Sequence, residues 1–282
     1  METESPVARV QRGEALLSLG HYAEGFRLYD AWRVMKPEVA AEWPLPRWRG
    51  EDLEGRRFLV AGEQGFGDQI MHARFAKLLQ ARGADVVWIA KEPLIRLFRE
   101  CLDLNAVPLG RSVDGVALYS PSSQLPNLFF PPLQEPPNSP YLRAPPANVV
   151  PGFTLGIVPA GNPKFSKDAT RSLPSDLAAA LLNLPGAVDL RPENTGARDF
   201  YDTATIIAGL DLVISVDTAV AHLAGAMGKS VWILLPYHAD WRWLRDREDS
   251  PGYPAARLFR QRSAGDWAEV VTRVEHAYSS QA

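Results

Sequence analysis

Residues 59–75 read LVAGEQGFGDQIMHARF. An apolar run stops at a glycine-rich turn carrying Glu63 and Asp68, and helix-like text follows. Strand, tight turn and helix in that order open an α/β unit, and the chain repeats the order. RRFLVAG (56–62), DVVWIA (85–90) and VALYS (116–120) read as strands, with helical text over 69–81 and 92–102 between them. After a proline-dense stretch the rhythm restarts. TLGIVPAG (154–161), AVDL (187–190), DLVISV (211–216) and SVWILLP (230–236) read as strands. Helices are expected over 174–184, 202–209, 218–227 and 266–279, the last with Trp267, Val270, Val271 and Val274 on one stripe. Alternation of this kind predicts parallel sheets with helices on their faces. Two such units joined by a connector predict two Rossmann-like lobes facing a cleft, with ligands beyond the carboxyl ends of the strands.

The expected organisation is a helical segment over 1–40, a first lobe over 41–150 and a second over 151–282. In the first segment Leu16, Leu17 and Leu19, then Tyr22, Phe26 and Tyr29, recur at helical spacing on either side of Gly20. With Gly13, Gly25 and Pro37 the order resembles a single tetratricopeptide unit. One unit cannot bury its own face, so it is expected to dock on the rest of the chain, or else on a partner. Residues 121–152 are rich in proline, which removes hydrogen-bond donors and fixes φ. They read as a surface connector without regular helix or central strand.

Composition narrows the function classes. The chain has 282 residues, 46% apolar and 22% charged, with a formal net charge of −3, so no basic surface for nucleic acid or anionic membrane is indicated. Cys101 is the sole cysteine, which leaves no internal disulfide and no zinc-type spacing. No stretch reads as a transmembrane segment or a secretory signal, and the reading is a cytoplasmic protein. There is no Asp-x-Asp, no H-E-x-x-H and no G-x-S-x-G, so neither a resident metal nor a serine elbow is expected.

Four stretches carry candidate chemistry. In the opening turn, Gly62, Gly65 and Gly67 do not make G-x-G-x-x-G, and no Walker lysine follows. Asp68 has two readings: a helix N-cap, or a general base at a strand's carboxyl end. Glu63, Gln64, Gly65 and Gly67 would line the cleft beside it. SVDTAVAHLAGAMG (215–228) places Asp217, Thr218, Ala219 and His222 at the start of a helix of small residues, whose N-terminus attracts phosphate. His222 is either a core histidine or a ligand contact. AGNPKFSKDATRSLP (160–174) gathers Asn162, Lys164, Lys167 and Arg171 in a loop, either as solvated charge or as a diphosphate clamp. In PYHADWRWLRDREDSPGYPAARLFRQ (236–261), Trp243 reads as packing, and Trp241 as packing or a cleft wall.

Together these stretches resemble the bacterial glycosyltransferases that follow tetratricopeptide repeats and are related to the heptosyltransferases, over about residues 10–280. The resemblance implies a GT-B fold and metal-free, inverting transfer of a sugar, hexosyl, heptosyl or related, from a nucleotide-sugar donor, with no cofactor. It implies Asp68 as the base and Asp217, Thr218, Ala219 and His222 as donor-binding, with Arg171 near the donor phosphates. The acceptor would be a hydroxyl of a protein, possible examples being surface-appendage proteins, or of a glycan or lipid. Ala219 stands where heptosyltransferases have glycine, and Pro159 and Gly252 stand where relatives have tryptophan. A non-catalytic nucleotide- or protein-binding module that keeps the fold and the nucleotide cleft, and uses the helical hairpin at 7–35 as a docking surface, is the alternative. A nucleotide-dependent oxidoreductase is weaker, for want of G-x-G-x-x-G.

Overall fold

The computed structural model describes residues 4–38, 40, 42–130, 133–137, 140–148, 151–152 and 154–280. Two all-parallel sheets organise it. The first has four strands, β1 (Arg57–Ala61), β2 (Asp85–Ala90), β3 (Asn105–Pro108) and β4 (Leu118–Pro121), in the order β3-β2-β1-β4. The second has β5 (Leu155–Val158), β6 (Ala187–Asp189), β7 (Leu212–Val216), β8 (Val231–Leu235) and β9 (Ala256–Arg260), in the order β6-β5-β7-β8-β9. In both sheets the chain runs outward from a central strand, then returns to that strand's other side. This creates a crevice at the carboxyl ends of β1 and β4, and another at those of β5 and β7.

The central strands are apolar along almost their whole length because both faces are covered. On β1, Phe58 and Val60 face one core while Leu59 and Ala61 face another, capped by Trp43 and Leu45. On β8, Val231, Ile233 and Leu235 share the large core with the first lobe, and Trp232 and Leu234 point to the opposite side.

Thirteen α-helices are assigned among the described residues. The amino-terminal ones are α1 (Pro6–Ser18), α2 (Tyr22–Tyr29) and α3 (Trp32–Met35). In the first lobe are α4 (Phe66–His72), α5 (Ala76–Gln80), α6 (Glu92–Leu102) and α7 (Leu125–Phe129). The second lobe has α8 (Asp168–Arg171), α9 (Ser175–Leu182), α10 (Pro192–Thr195), α11 (Phe200–Ala208), α12 (Ala219–Ala226) and α13 (Trp267–Ser279). The lobes touch through α4 on α12 and α6 on α11. Arg96 on α6 donates to Asp202 on α11 at 2.7 Å, and its guanidinium lies 4.1 Å from the Tyr201 ring centre.

The amino-terminal segment forms a helical hairpin docked on the chain. Gly13 and Gly25 make it tight: a Cβ at Gly13 would meet the Tyr29 backbone nitrogen at 2.6 Å, and one at Gly25 would meet the Leu17 side chain at 2.7 Å. The hairpin reaches both lobes. Phe26 stacks on Phe130 at 5.2 Å and meets Trp241 edge-on at 5.4 Å. Leu19, placed on its helical stripe by sequence, is 61% exposed because the chain reverses at Gly20.

Three sequence expectations are corrected. The helix after β1 starts at Phe66, not Gln69, because Gly65 is its N-cap. Strands β3 and β9 are additions to the sequence reading: β3 runs straight into Pro108, and Arg257 and Arg260 break the apolar run of β9. The proline-dense stretch is not a surface connector at its start: Pro121 ends β4, Leu125–Phe129 is helical, and Leu125, Phe129, Phe130 and Tyr141 are core. Pro126 occupies the first turn of α7, where its missing N–H costs nothing. Residues 131–132, 138–139 and 149–150 of that stretch lie outside the described residues.

Candidate functional site between the lobes

Four loops at strand carboxyl ends converge. After β1 the chain turns through Gln64, at a positive φ of 62°, and Gly65 caps α4. Asp68 is the third residue of α4 rather than its N-cap, and its Oδ2 accepts the Gly65 N–H at 2.8 Å. Its other oxygen, Oδ1, accepts from Arg242 Nη2 of the second lobe at 2.6 Å. Arg242 Nη1 donates to Asp240 Oδ1 at 2.7 Å. Arg242 and Asp68 are only 11% and 22% exposed in their side chains, so this pair is much less screened than a surface ion pair.

Glu63 does not face the cleft. It is buried at the crevice between β1 and β4, where it accepts hydrogen bonds from Arg33 of α3 and from the Ser123 hydroxyl. The Ser122 hydroxyl accepts the Glu63 N–H at 3.2 Å. Its carboxylate thus ties the amino-terminal helices to the sheet. Gly67 stands against the donor-motif side, since a Cβ there would lie 2.9 Å from His222 Cδ2.

The crevice between β5 and β7 is closed by Arg171. Its Nη1 donates to the Asp217 carbonyl at 2.7 Å, and its Nε to Asp168 Oδ1 at 2.9 Å. Phe165 covers the guanidinium, 4.7 Å from ring centre to Cζ. Asn162 and Lys167 are exposed on the same loop, where Asn162 Oδ1 accepts the Lys164 N–H at 3.0 Å. Thr218 is the N-cap of α12, and its hydroxyl lies 3.0 Å from that of Ser215. Ala219 begins the helix beside Gly67.

Burial sets the charge states. The Asp217 carboxyl is pushed up from 3.8 to about 6, chiefly by burial and then by the nearby Asp240 carboxylate. The His222 imidazole is pushed down to about 3, by burial and then by Arg242. It is therefore neutral at pH 7, held 2.9 Å from the Tyr253 hydroxyl and stacked on Trp243 at 5.0 Å. Glu14 of α1 also belongs to this cluster: burial and Asp240 raise its carboxyl pKa. Sequence reasoning missed Glu14, Asp240 and the reach of Arg242. The signal available for Arg242 was its place between two tryptophans in DWRW, which fixes a guanidinium in an apolar setting.

Trp241 lies beneath the hairpin, 5.6 Å from the Tyr29 ring, and walls a cavity of about 50 Å³ with His72, Arg74, Arg242 and Gly252. His72 Nδ1, Trp241 Nε1 and Arg242 Nε have no hydrogen-bond partner there among the described residues. Gly252 admits Arg74, whose Nη1 would be 2.7 Å from a Cβ at that position.

Comparisons with known proteins agree with this architecture. No family model matches the chain. Protein FlbA of Caulobacter vibrioides is 25% identical over 324 residues, covering 94% of this chain and 54% of FlbA. The chain thus spans about half the length of that curated relative. Among solved structures, the iron-containing dodecameric glycosyltransferase TibC of enterotoxigenic E. coli aligns with a TM-score of 0.52 at 11% identity, over 78% of this chain and 67% of TibC. TibC in complex with ADP-D-beta-D-heptose gives 0.53 at 12%, over 77% and 66%. The E. coli ADP-heptose lipopolysaccharide heptosyltransferase II gives 0.52 at 13%, over 80% of this chain and all of that one. The chain therefore has the α/β fold of heptosyltransferase-like glycosyltransferases. No helix among the described residues is long and apolar enough to cross a membrane.

Proposed function

We propose that this protein is a metal-independent, inverting glycosyltransferase that moves a sugar from a nucleotide-sugar donor to a hydroxyl of a protein, glycan or lipid acceptor. The observation that carries the reading is the placement of Asp68: a carboxylate beyond the end of β1, bonded to Arg242 of the turn that follows β8, on the helix whose Gly67 packs against His222 of α12. In the reaction Asp68 takes the proton of the acceptor hydroxyl as its oxygen attacks the anomeric carbon. The bond to the nucleoside diphosphate breaks on the opposite face. Arg171 and the amide groups at the start of α12 stabilise the charge that gathers on the leaving diphosphate.

The protein acceptor is the reading favoured by the hairpin, whose exposed Val34 and Leu19 offer apolar contacts on its outer side. The alternative, a non-catalytic nucleotide-binding module, is supported by the engagement of both Asp68 oxygens within the protein. One experiment separates them. Thermal unfolding of the full chain is followed with UDP, GDP, ADP, CMP and NAD, because a ligand of the folded state raises the transition. The stabilising nucleotide's sugar conjugates are then assayed for turnover by wild type and Asp68→Asn. Turnover lost in the variant supports the transferase, binding without turnover supports the module, and stabilisation by NAD alone overturns both.

A further inference from the structure

We propose that Arg242 is the donor-responsive residue of this cleft: the diphosphate of a nucleotide sugar draws its guanidinium off Asp68, so that donor binding uncovers the base. The inference rests on the transferase reading above and adds an order of events to it, donor before acceptor.

The argument begins with what Asp68 is doing. One of its oxygens accepts the Gly65 N–H, and the other is held by Arg242. A carboxylate engaged on both oxygens, one of them by a cation, is poorly placed to receive a hydroxyl proton. Arg242 comes from the opposite lobe, on the turn Trp241–Trp243 that follows β8. It therefore belongs to the donor side by connection and to the acceptor side by contact.

Its surroundings suit exchange. The guanidinium acts on both donor-motif groups, disfavouring the proton on Asp217 and on His222. It thus lies within electrostatic reach of where the resemblance puts the nucleotide. Its Nε–H is buried without a partner among the described residues, so one donor of the fork is uncommitted. A phosphate can take two parallel N–H bonds from such a fork, as a carboxylate can, and carries more charge. Asp240 holds Nη1 throughout and acts as the pivot. Arg171 does not play this part, because its hydrogen bonds, to the Asp217 carbonyl and Asp168, stay within its own lobe and do not hold Asp68.

Competition between Asp68 and the diphosphate gives a sign that simple contact would not. Titration calorimetry on the full chain would compare the stabilising nucleoside diphosphate with the monophosphate of the same base. In Asp68→Asn, which keeps an oxygen for the Gly65 N–H, the competitor charge is gone. The diphosphate should bind roughly threefold to tenfold tighter and the monophosphate unchanged. Arg242→Gln should bind the diphosphate about tenfold more weakly. The double variant should match Arg242→Gln alone, since Asp68 acts only through Arg242. If Arg242→Gln does not fold, Asp68→Asn and Arg242→Lys carry the comparison. Wild type that binds diphosphate while Asp68→Asn binds it no tighter overturns this inference and leaves the transferase reading intact. Wild type that binds no nucleotide overturns both.

Discussion

Gly67 and His222 lie so close that a Cβ on the glycine would stand 2.9 Å from the imidazole Cδ2, nearer than real Cβ contacts. The two residues come from the two lobes, so the hydrogen side chain sets how closely α4 and α12 approach. The imidazole has little freedom to retreat, because Tyr253 bonds its Nδ1 and Trp243 covers its face. Gly67→Ala should therefore wedge the lobes and cost about 1–3 kcal/mol, as overpacking does. Urea unfolding measures it; an unchanged midpoint would mean that the lobes separate freely at this point.

Glu63 and Arg33 form a buried ion pair, at 2% and 6% residual exposure, between the β1 turn and α3. Removing Glu63 leaves the buried Arg33 paired with the exposed Glu42 at 3.0 Å, so Glu63→Ala should destabilise by about 1–3 kcal/mol, less than a fully stranded charge would. Replacing both with methionine should recover much of that loss, because the desolvation cost disappears with the pair. Chemical denaturation of the single and double variants checks this. A double variant as unstable as the single would show that the carboxylate has further obligations in the fold.

Much of the fold was legible because both sheets are buried on both faces. DVVWIA and the helix over 92–102 fall where apolar pattern places them, with Leu94, Ile95, Leu97, Phe98, Cys101 and Leu102 inward. What escaped reading depends on long-range contact. β9, Ala256–Arg260, carries Arg257 and Arg260 in place of a continuous apolar run, and among the described residues it pairs on β8 alone. Leu125–Phe129 is helical despite its proline because the core takes Leu125 and Phe129. The site divides in the same way. The motifs showed that Asp68, Arg171, Asp217, Thr218 and His222 would sit at strand ends. No local pattern could show that Glu63 turns inward to Arg33, or that Arg242 crosses between lobes.

Phe26 joins the hairpin to both lobes through Phe130 and Trp241, and it is 6% exposed. Phe26→Ala should cost about 3–5 kcal/mol, the range for a large aromatic removed from a core. It should also raise protease cleavage in residues 36–46, because the hairpin loses its hold on the second lobe. Limited proteolysis with mass analysis reads this directly. A stable protein with an unchanged digest would assign the hairpin's docking to its other contacts, Tyr22 on Phe130, Tyr29 on Trp241 and Arg33 on Glu63.

Asp217 makes a prediction with a definite pH dependence. Its carboxyl is raised from 3.8 to about 6 by burial and by Asp240. The folded protein thus holds this proton more tightly than the unfolded chain, and ionisation penalises the native state. Below about pH 3 both states are protonated and the penalty is absent. It grows from about pH 3 to about pH 7 and is constant above. Asparagine carries no such penalty, so Asp217→Asn should match wild type in stability at about pH 3 and exceed it by about 1–3 kcal/mol at pH 7. The same change should weaken nucleotide binding if Asp217 meets the donor. Thermal unfolding across about pH 3–8, with and without the stabilising nucleotide, reads both effects. A variant less stable than wild type at pH 7 would show that the carboxylate repays its burial through Arg171 and Arg242, and would reverse the assigned sign.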